Sequence, residues 1–174
     1  MTRSRFMVSV LGVLLLCGFI GLALAQNPPT KCGPDHAILY KRAVKLLDSA
    51  EKKLTGGYTA EAKAQIKEAN SLFTILQKEC GPQQKDRILT DQEAQQEAIN
   101  QKLCADERAQ ADLLMKSGTD KEKQSATLDA TQPDVALKYQ REAKSNYEQA
   151  QKRYIRAEIY ALRNQQMVFK FLLR

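Results

Sequence analysis

The sequence predicts an all-α protein, made of a helical hairpin followed by a helical bundle with one long, coiled-coil-like C-terminal helix. Ala, Gln, Glu, Lys and Leu dominate the polar stretches and Trp is absent, which is typical of long helices. Apolar residues recur at spacings of three and four, the period of an amphipathic helix. Glycine and proline stand where one such pattern gives way to the next, as expected for turns between helices.

The first 25 residues are predicted to be a signal peptide or an N-terminal membrane anchor. Arg3 and Arg5 precede an uncharged run over residues 6–25 that closes on an Ala-Leu-Ala tripeptide. A basic start, an apolar middle and an Ala-x-Ala end are typical of a secretory signal peptide. The run is also long enough to remain as a membrane-spanning anchor, for which about 18 residues suffice. Both interpretations place residues 26–174, a single predicted helical domain, in the periplasm or another extracytoplasmic compartment.

The first hairpin is predicted over residues 34–80. The Gly-Gly pair at 56–57 is expected to end its first helix, and the Gly-Pro pair at 81–82 its second. The apolar residues of the second helix step by three and four and therefore share one face. They are Ala62, Ile66, Ala69, Phe73 and Leu76.

Within this hairpin, residues 43–77 resemble a tetratricopeptide repeat. Six residues stand at the spacing that this family uses for its packing positions: Leu46, Ala50, Gly57, Ala62, Ile66 and Ala69. The sequence departs from the family pattern at Lys53, where an aromatic residue is usual, and at Thr74, where proline is usual. The resemblance implies a helical scaffold that binds other proteins.

A third helix is predicted over residues 90–116, followed by a short polar helix within 120–130. Thr90 and Glu93 form a capping box at its start, and Ser117-Gly118 is expected to end it. The apolar face predicted for this helix is thin. It comprises Ala94, Ala98, Ile99, Leu103, Leu113 and Leu114.

The last helix is predicted to begin at Pro133 and to continue to about residue 172. Alanine and tyrosine alternate along it at spacings of three and four, which is typical of a coiled-coil seam. The seam residues are Ala136, Tyr139, Ala143, Tyr147, Ala150, Tyr154, Ala157 and Ala161. About forty helical residues span roughly 60 Å, so this helix is expected to extend past a compact bundle.

A disulfide is predicted between Cys32 and Cys80. Both cysteines begin a Cys-Gly-Pro triplet, and an antiparallel hairpin brings their two positions together in an oxidising compartment. Cys104 lies in mid-helix, as a buried small apolar residue or as a thiol for an intermolecular link. No metal or cofactor is expected, because there is no Cys-x-x-Cys motif and the single histidine, His36, is expected at the surface.

The sequence predicts a non-catalytic function. It contains no nucleophile motif, no Gly-rich phosphate loop and only one histidine. Residues 138–174 hold nine basic and three acidic residues, so the basic excess lies on the last helix. This element can face an envelope or membrane protein, an anionic lipid or a cell-wall polymer, or it can be an ordinary solvated face. Nucleic acid is not an expected partner.

Three functions follow from these patterns. The first is an exported adaptor or scaffold that mediates protein–protein interactions in the cell envelope. The second is an anchored accessory subunit that stabilises an inner-membrane complex from its outer-facing side, and the third is a binder of anionic lipid or cell-wall polymer. The last helix can also pair with a second copy. The predicted partner-binding residues are Met167, Val168, Phe169, Phe171, Leu172, Leu173, Arg153, Arg156, Arg163 and Lys170.

Overall fold

The computed structural model of the protein describes residues 32–85 and 89–173, and these residues form helices without any strand. The helices are α1 (Pro34–Thr55), α2 (Thr59–Lys85), α3 (Asp91–Leu128) and α4 (Pro133–Val168), followed by a 3₁₀ segment, η1 (Phe169–Leu173). The all-α prediction is therefore confirmed. The predicted leader lies outside the described residues, and none of the helices within them is long and apolar enough to span a membrane.

The first hairpin pairs α1 with α2 around a turn that requires glycine. Gly57 has φ of +84°, a conformation that costs a side-chain-bearing residue free energy and glycine very little. The predicted face of α2 is the one that is buried against α1. The buried residues of this core are Tyr40, Ala43, Leu47, Ala50, Ala62, Ile66, Ala69, Leu72, Phe73, Leu76 and Cys80, with Ile155, Ile159, Leu162 and Phe169 from the C-terminal part. The second helix continues past the expected Gly-Pro stop, to Lys85.

The predicted disulfide joins the two open ends of this hairpin. The Cα atoms of Cys32 and Cys80 lie 5.5 Å apart, and the two residues are paired. Cys32 precedes α1 and Cys80 lies near the end of α2, so the bond closes the hairpin opposite its turn. Cys104 forms no disulfide with any described residue and is half-buried.

α3 and α4 form a second hairpin, and in it the prediction that Ser117-Gly118 ends a helix is wrong. α3 continues through both residues to Leu128, so the separate short helix predicted after residue 120 is part of α3. Gly118 is required here by packing, because a Cβ at this position would lie 2.5 Å from Cε1 of Tyr147 on α4. The ring of Tyr147 covers the glycine, and its hydroxyl donates to Glu122 (2.8 Å).

The face of α3 that packs on α4 differs from the predicted one. Ile99, Leu103 and Leu113 are exposed, although they were expected to form the apolar face. The buried residues are small or polar instead: Asn100, Ala111, Gly118 and Ser125. Three of them are spaced by seven residues, which matches the seven-residue spacing of the buried alanines of α4, Ala136, Ala143, Ala150 and Ala157. The two helices therefore approach closely along a seam of small residues.

Polar side chains flank this seam on both sides. Lys121 pairs with Glu142, and this hydrogen bond lowers the pKa of the Glu142 carboxyl below its usual value. The hydroxyl of Tyr154 donates to Asp112, which raises the pKa of that tyrosine. These contacts fix the register of two helices that share few large apolar residues.

The last helix also packs on the first hairpin. Ile155, Ile159 and Leu162 join the α1–α2 core, and α4 runs antiparallel to α1. The turn at 57–61 lies beside residues 148–152 of α4. The preceding residues of α4, 133–147, therefore extend about 22 Å beyond that turn, as the length of the helix predicts.

We predict that Gly118→Ala destabilises the protein by about 1–3 kcal/mol, the usual cost of overpacking. Alanine normally stabilises a helix relative to glycine by up to about 1 kcal/mol, so the expected sign is opposite to helix propensity. The measurement is urea unfolding followed by circular dichroism. Gly81→Ala is the matched control, because a Cβ there meets nothing within 4 Å. Equal stability changes in the two variants would contradict the prediction.

We also predict that removing the disulfide lowers the free energy of unfolding by about 2–4 kcal/mol, because the unfolded chain gains the entropy of an open loop. The variant is Cys32→Ser with Cys80→Ser, and its denaturation midpoint is compared with that of Cys104→Ser, which keeps the bond. The double variant should unfold at the same midpoint with and without reductant. Coincident midpoints for it and the oxidised wild type would show that the bond contributes nothing.

Candidate binding groove

A groove of ≈ 700 Å³ lies where α1 faces the end of α4. α1 and α4 form its long walls, the first part of α3 closes one side, and η1 closes the end. The lining residues come from four elements: Tyr40, Lys41, Val44, Lys45, Asp48 and Glu51 of α1, Gln96 and Asn100 of α3, Ile159, Tyr160, Arg163, Gln166 and Met167 of α4, and Lys170 and Leu173 of η1.

The floor of the groove is apolar and fixed. Tyr40 and Ile159 are 3% and 2% exposed and belong to the core, and Val44 packs against it. The hydroxyl of Tyr40 donates to the backbone carbonyl of Gln166 (2.9 Å), which satisfies its buried polar group and ties α1 to α4. A ligand in the groove therefore meets a preformed apolar surface.

The rim of the groove carries three lysines. Lys41, Lys45 and Lys170 are exposed. Lys41 and Lys45 are four residues apart and therefore lie on the same face of α1, while Lys170 belongs to η1 at the end of the groove. Within the described residues none of the three forms an ion pair. The rim therefore offers positive charge to an incoming group.

One wall of the groove is held by a charged cluster centred on Arg163. Its guanidinium donates to Asp48 (2.8 Å) and Glu51 (2.6 Å) of α1 and to Gln166 (2.8 Å). Burial alone would lower the pKa of Arg163, but the carboxylates of Glu51 and Asp48 outweigh it and raise that pKa. The cluster fixes the separation of α1 and α4 along the groove.

The α3 side of the groove is held by amide groups. Asn100 is 6% exposed, and its amide nitrogen donates to Oδ1 of Asn164 (2.8 Å). Oδ1 of Asn100 accepts from Gln96 (3.0 Å), and Nδ2 of Asn164 donates to the carbonyl of Glu97 (3.3 Å). Because a buried amide without partners costs free energy, this network specifies where α3 crosses α4.

The structure divides the predicted apolar partner-binding residues between core and groove. Phe169 is fully buried and stacks on Phe73, with ring centroids 6.5 Å apart. Val168, Phe171 and Leu172 are half-buried against the same core. Met167 and Leu173 line the groove, and Leu173 is half-exposed.

The predicted basic residues are divided in a similar way. Arg153 and Arg156 both donate to the half-buried carboxylate of Glu107 on α3, at 2.9 and 3.0 Å. Arg163 is paired with α1, as described above, and Lys170 stands on the rim. Two of the four therefore serve the α3–α4 contact, and two line the groove.

Sequence reasoning did not find the contribution of α1 to the groove. The sequence of α1 contains an apolar residue followed by lysine twice, one helical turn apart, at Tyr40-Lys41 and Val44-Lys45. This repeat is the sequence signal from which the α1 wall could be predicted. His36 was expected at the surface but its side chain is only 14% exposed, with Nε2 2.7 Å from a carboxylate oxygen of Glu79.

Comparisons of the chain with protein-family models, with curated proteins and with solved structures find no significant match. The groove therefore has to be interpreted from its own geometry. The groove combines an apolar floor with exposed ammonium groups on its rim.

We predict that Arg163→Met destabilises the protein by about 1–2 kcal/mol, because Asp48 and Glu51 then lose hydrogen bonds to a cation. Thermal or urea unfolding measures the change. Arg42→Met is the matched control, since the Arg42–Glu68 pair is exposed on both sides and such pairs contribute about 0–1 kcal/mol. If the free energy of unfolding falls as much in the Arg42 variant as in the Arg163 variant, the Arg163 cluster stabilises the protein no more than an exposed ion pair does.

Proposed function

We propose that the protein is an exported, non-catalytic helical adaptor that binds another envelope or membrane protein through the groove between α1 and α4. The observation that supports this function is the combination of a preformed apolar floor with three exposed lysines on the rim. Helix-in-groove recognition uses such surfaces, because apolar anchors give affinity and rim charges select the partner. The expected partner segment is an amphipathic helix with Asp or Glu beside its apolar face.

An extracytoplasmic location is part of this proposal. The disulfide is compatible with such a location, because disulfides persist mainly in oxidising compartments. Export through the leader and residence in the periplasm rest on the sequence pattern of residues 1–25.

The alternative proposal is a membrane-anchored accessory subunit that uses the same groove. If the leader is retained, the groove faces the outer side of a membrane complex. Mass spectrometry of the protein from membrane and soluble fractions distinguishes the two forms. An N-terminus at Gln26 indicates the exported adaptor, whereas an intact chain of 19.6 kDa in the membrane indicates the anchored subunit.

Binding of an anionic lipid or cell-wall polymer has its own supporting observation. Lys138, Arg141, Lys144 and Lys152 are exposed on α4, and within the described part of the chain none of them forms an ion pair. They lie within residues 138–152 of α4, before the part of this helix that lines the groove, which begins at Ile159. This makes it practical to test the two surfaces separately.

We predict that reversing the rim charges with Lys41→Glu, Lys45→Glu and Lys170→Glu weakens partner capture at least tenfold, because three attractive contacts become repulsive. The measurement is in-cell crosslinking followed by quantitative mass spectrometry of the captured proteins. All three side chains are exposed, so the fold should be retained, which circular dichroism checks.

The matched control is Lys138→Glu, Arg141→Glu and Lys144→Glu, which changes the net charge equally on the part of α4 that precedes the groove. The adaptor proposal requires that this control retains the partner. The lipid or polymer function would be favoured if only the control variant lost partner capture and if that variant also lost salt-sensitive binding to vesicles containing anionic phospholipid. Unchanged capture in both variants would reject the groove as the binding site.

A further inference from the structure

Three potential metal ligands meet at the disulfide-bonded end of the first hairpin. Each of Cys32, His36 and Cys80 offers one ligand atom, and these three atoms lie within 4.8 Å of one another. Cys32 precedes α1, His36 lies in its first turn, and Cys80 approaches from α2. Two sulfurs and one imidazole nitrogen are the donor types that zinc and other thiophilic cations prefer.

The hydrogen bonds of His36 orient its ring for metal binding. Nδ1 accepts from the backbone N–H of Gly33 (3.1 Å), so the ring proton of the neutral imidazole is on Nε2 and is donated to Glu79 (2.7 Å). A metal-ligating histidine usually donates its other ring N–H to a carboxylate in this way, which fixes the ring and raises its basicity. A cation that binds Nδ1 replaces the Gly33 N–H as the partner of its lone pair, while the bond from Nε2 to Glu79 is kept.

The two sulfurs differ in access. Cys80 is fully buried, whereas Cys32 is half-exposed and lines a cleft of ≈ 620 Å³ that also contains Gly33, Pro34 and Phe171. An external thiolate can therefore attack Cys32, with Cys80 as the leaving sulfur. The rest of the α1–α2 core consists of apolar side chains buried between the two helices, so we expect these helices to hold the three ligands near one another after reduction.

We propose that this cluster has two alternative states, a Cys32–Cys80 disulfide and a reduced Cys₂His site for a thiophilic d¹⁰ cation such as Zn²⁺. A dithiol supplies the two electrons: it is oxidised to its own disulfide while the Cys32–Cys80 bond breaks and two thiols form. The cation then binds both sulfurs and Nδ1 of His36, and the two thiol protons pass to solvent. Water occupies the fourth position, and Glu79 positions the imidazole.

Zn²⁺ binding to the full domain tests the proposal, measured by competition with a chromogenic chelator in the Cys104→Ser background to remove the third thiol. The oxidised protein and the protein reduced with a phosphine are compared. The reduced protein should bind one equivalent of Zn²⁺ and the oxidised protein none. Cobalt(II) substitution should show the thiolate charge-transfer absorption of two sulfurs per metal.

Two variants keep both thiols and test the histidine and its carboxylate. His36→Ala should weaken Zn²⁺ binding at least tenfold, and Glu79→Gln, which leaves all three ligands in place, should weaken it by about 10–100-fold. Equal affinity in the His36 variant would overturn the proposal, because it would show that any pair of thiols suffices. Loss of helical circular dichroism on reduction would overturn it as well, since the fold could not then hold the ligands together.

Discussion

The two helical hairpins are joined by residues 155–169, which pack one face of α4 and η1 against α1 and α2 while the opposite face of α4 contacts α3. Ala157 and Ile159 illustrate this division, because two residues correspond to about 200° around a helix. The alanine is buried in the seam with α3, and the isoleucine in the core with α1 and α2. The position of α3 relative to the first hairpin therefore depends on the straightness of α4.

The groove is a consequence of this arrangement. Over residues 155–169, α4 and η1 bury large residues against α1 and α2 while α3 contacts the opposite face of α4, and the groove is the space left between α1, α3 and α4. Arg163 spans this space to Asp48 and Glu51, and the pair Asn100–Asn164 closes its other side. Both contacts are polar, so they fix the geometry of the groove without filling it with apolar side chains.

The sequence predicted those features in which large apolar residues or turn chemistry dominate. The hairpin, its buried face, the cap at Thr90 and the disulfide all follow from such signals and are present. The α3–α4 contact could not be predicted from apolar periodicity, because its buried residues are small or polar, whereas Ile99, Leu103 and Leu113 are exposed. Gly118 was mistaken for a helix stop for the same reason: its missing side chain accommodates a tyrosine ring from the neighbouring helix. The tetratricopeptide resemblance stays a prediction.

The seam of small residues also determines how the far end of the α3–α4 hairpin should move. Its buried positions between residues 111 and 150 are Ala111, Gly118, Ser125, Ala136, Ala143 and Ala150, none larger than serine. Separating these helices exposes no fully buried side chain larger than serine, so we expect opening them to carry a smaller heat-capacity change and a smaller loss of hydrophobic free energy than opening the α1–α2 core. We therefore expect amide hydrogens next to the turn at 129–132 to exchange through local opening, well below the free energy of global unfolding. Protection should rise along α4 towards Ile155, where the disulfide-closed core begins.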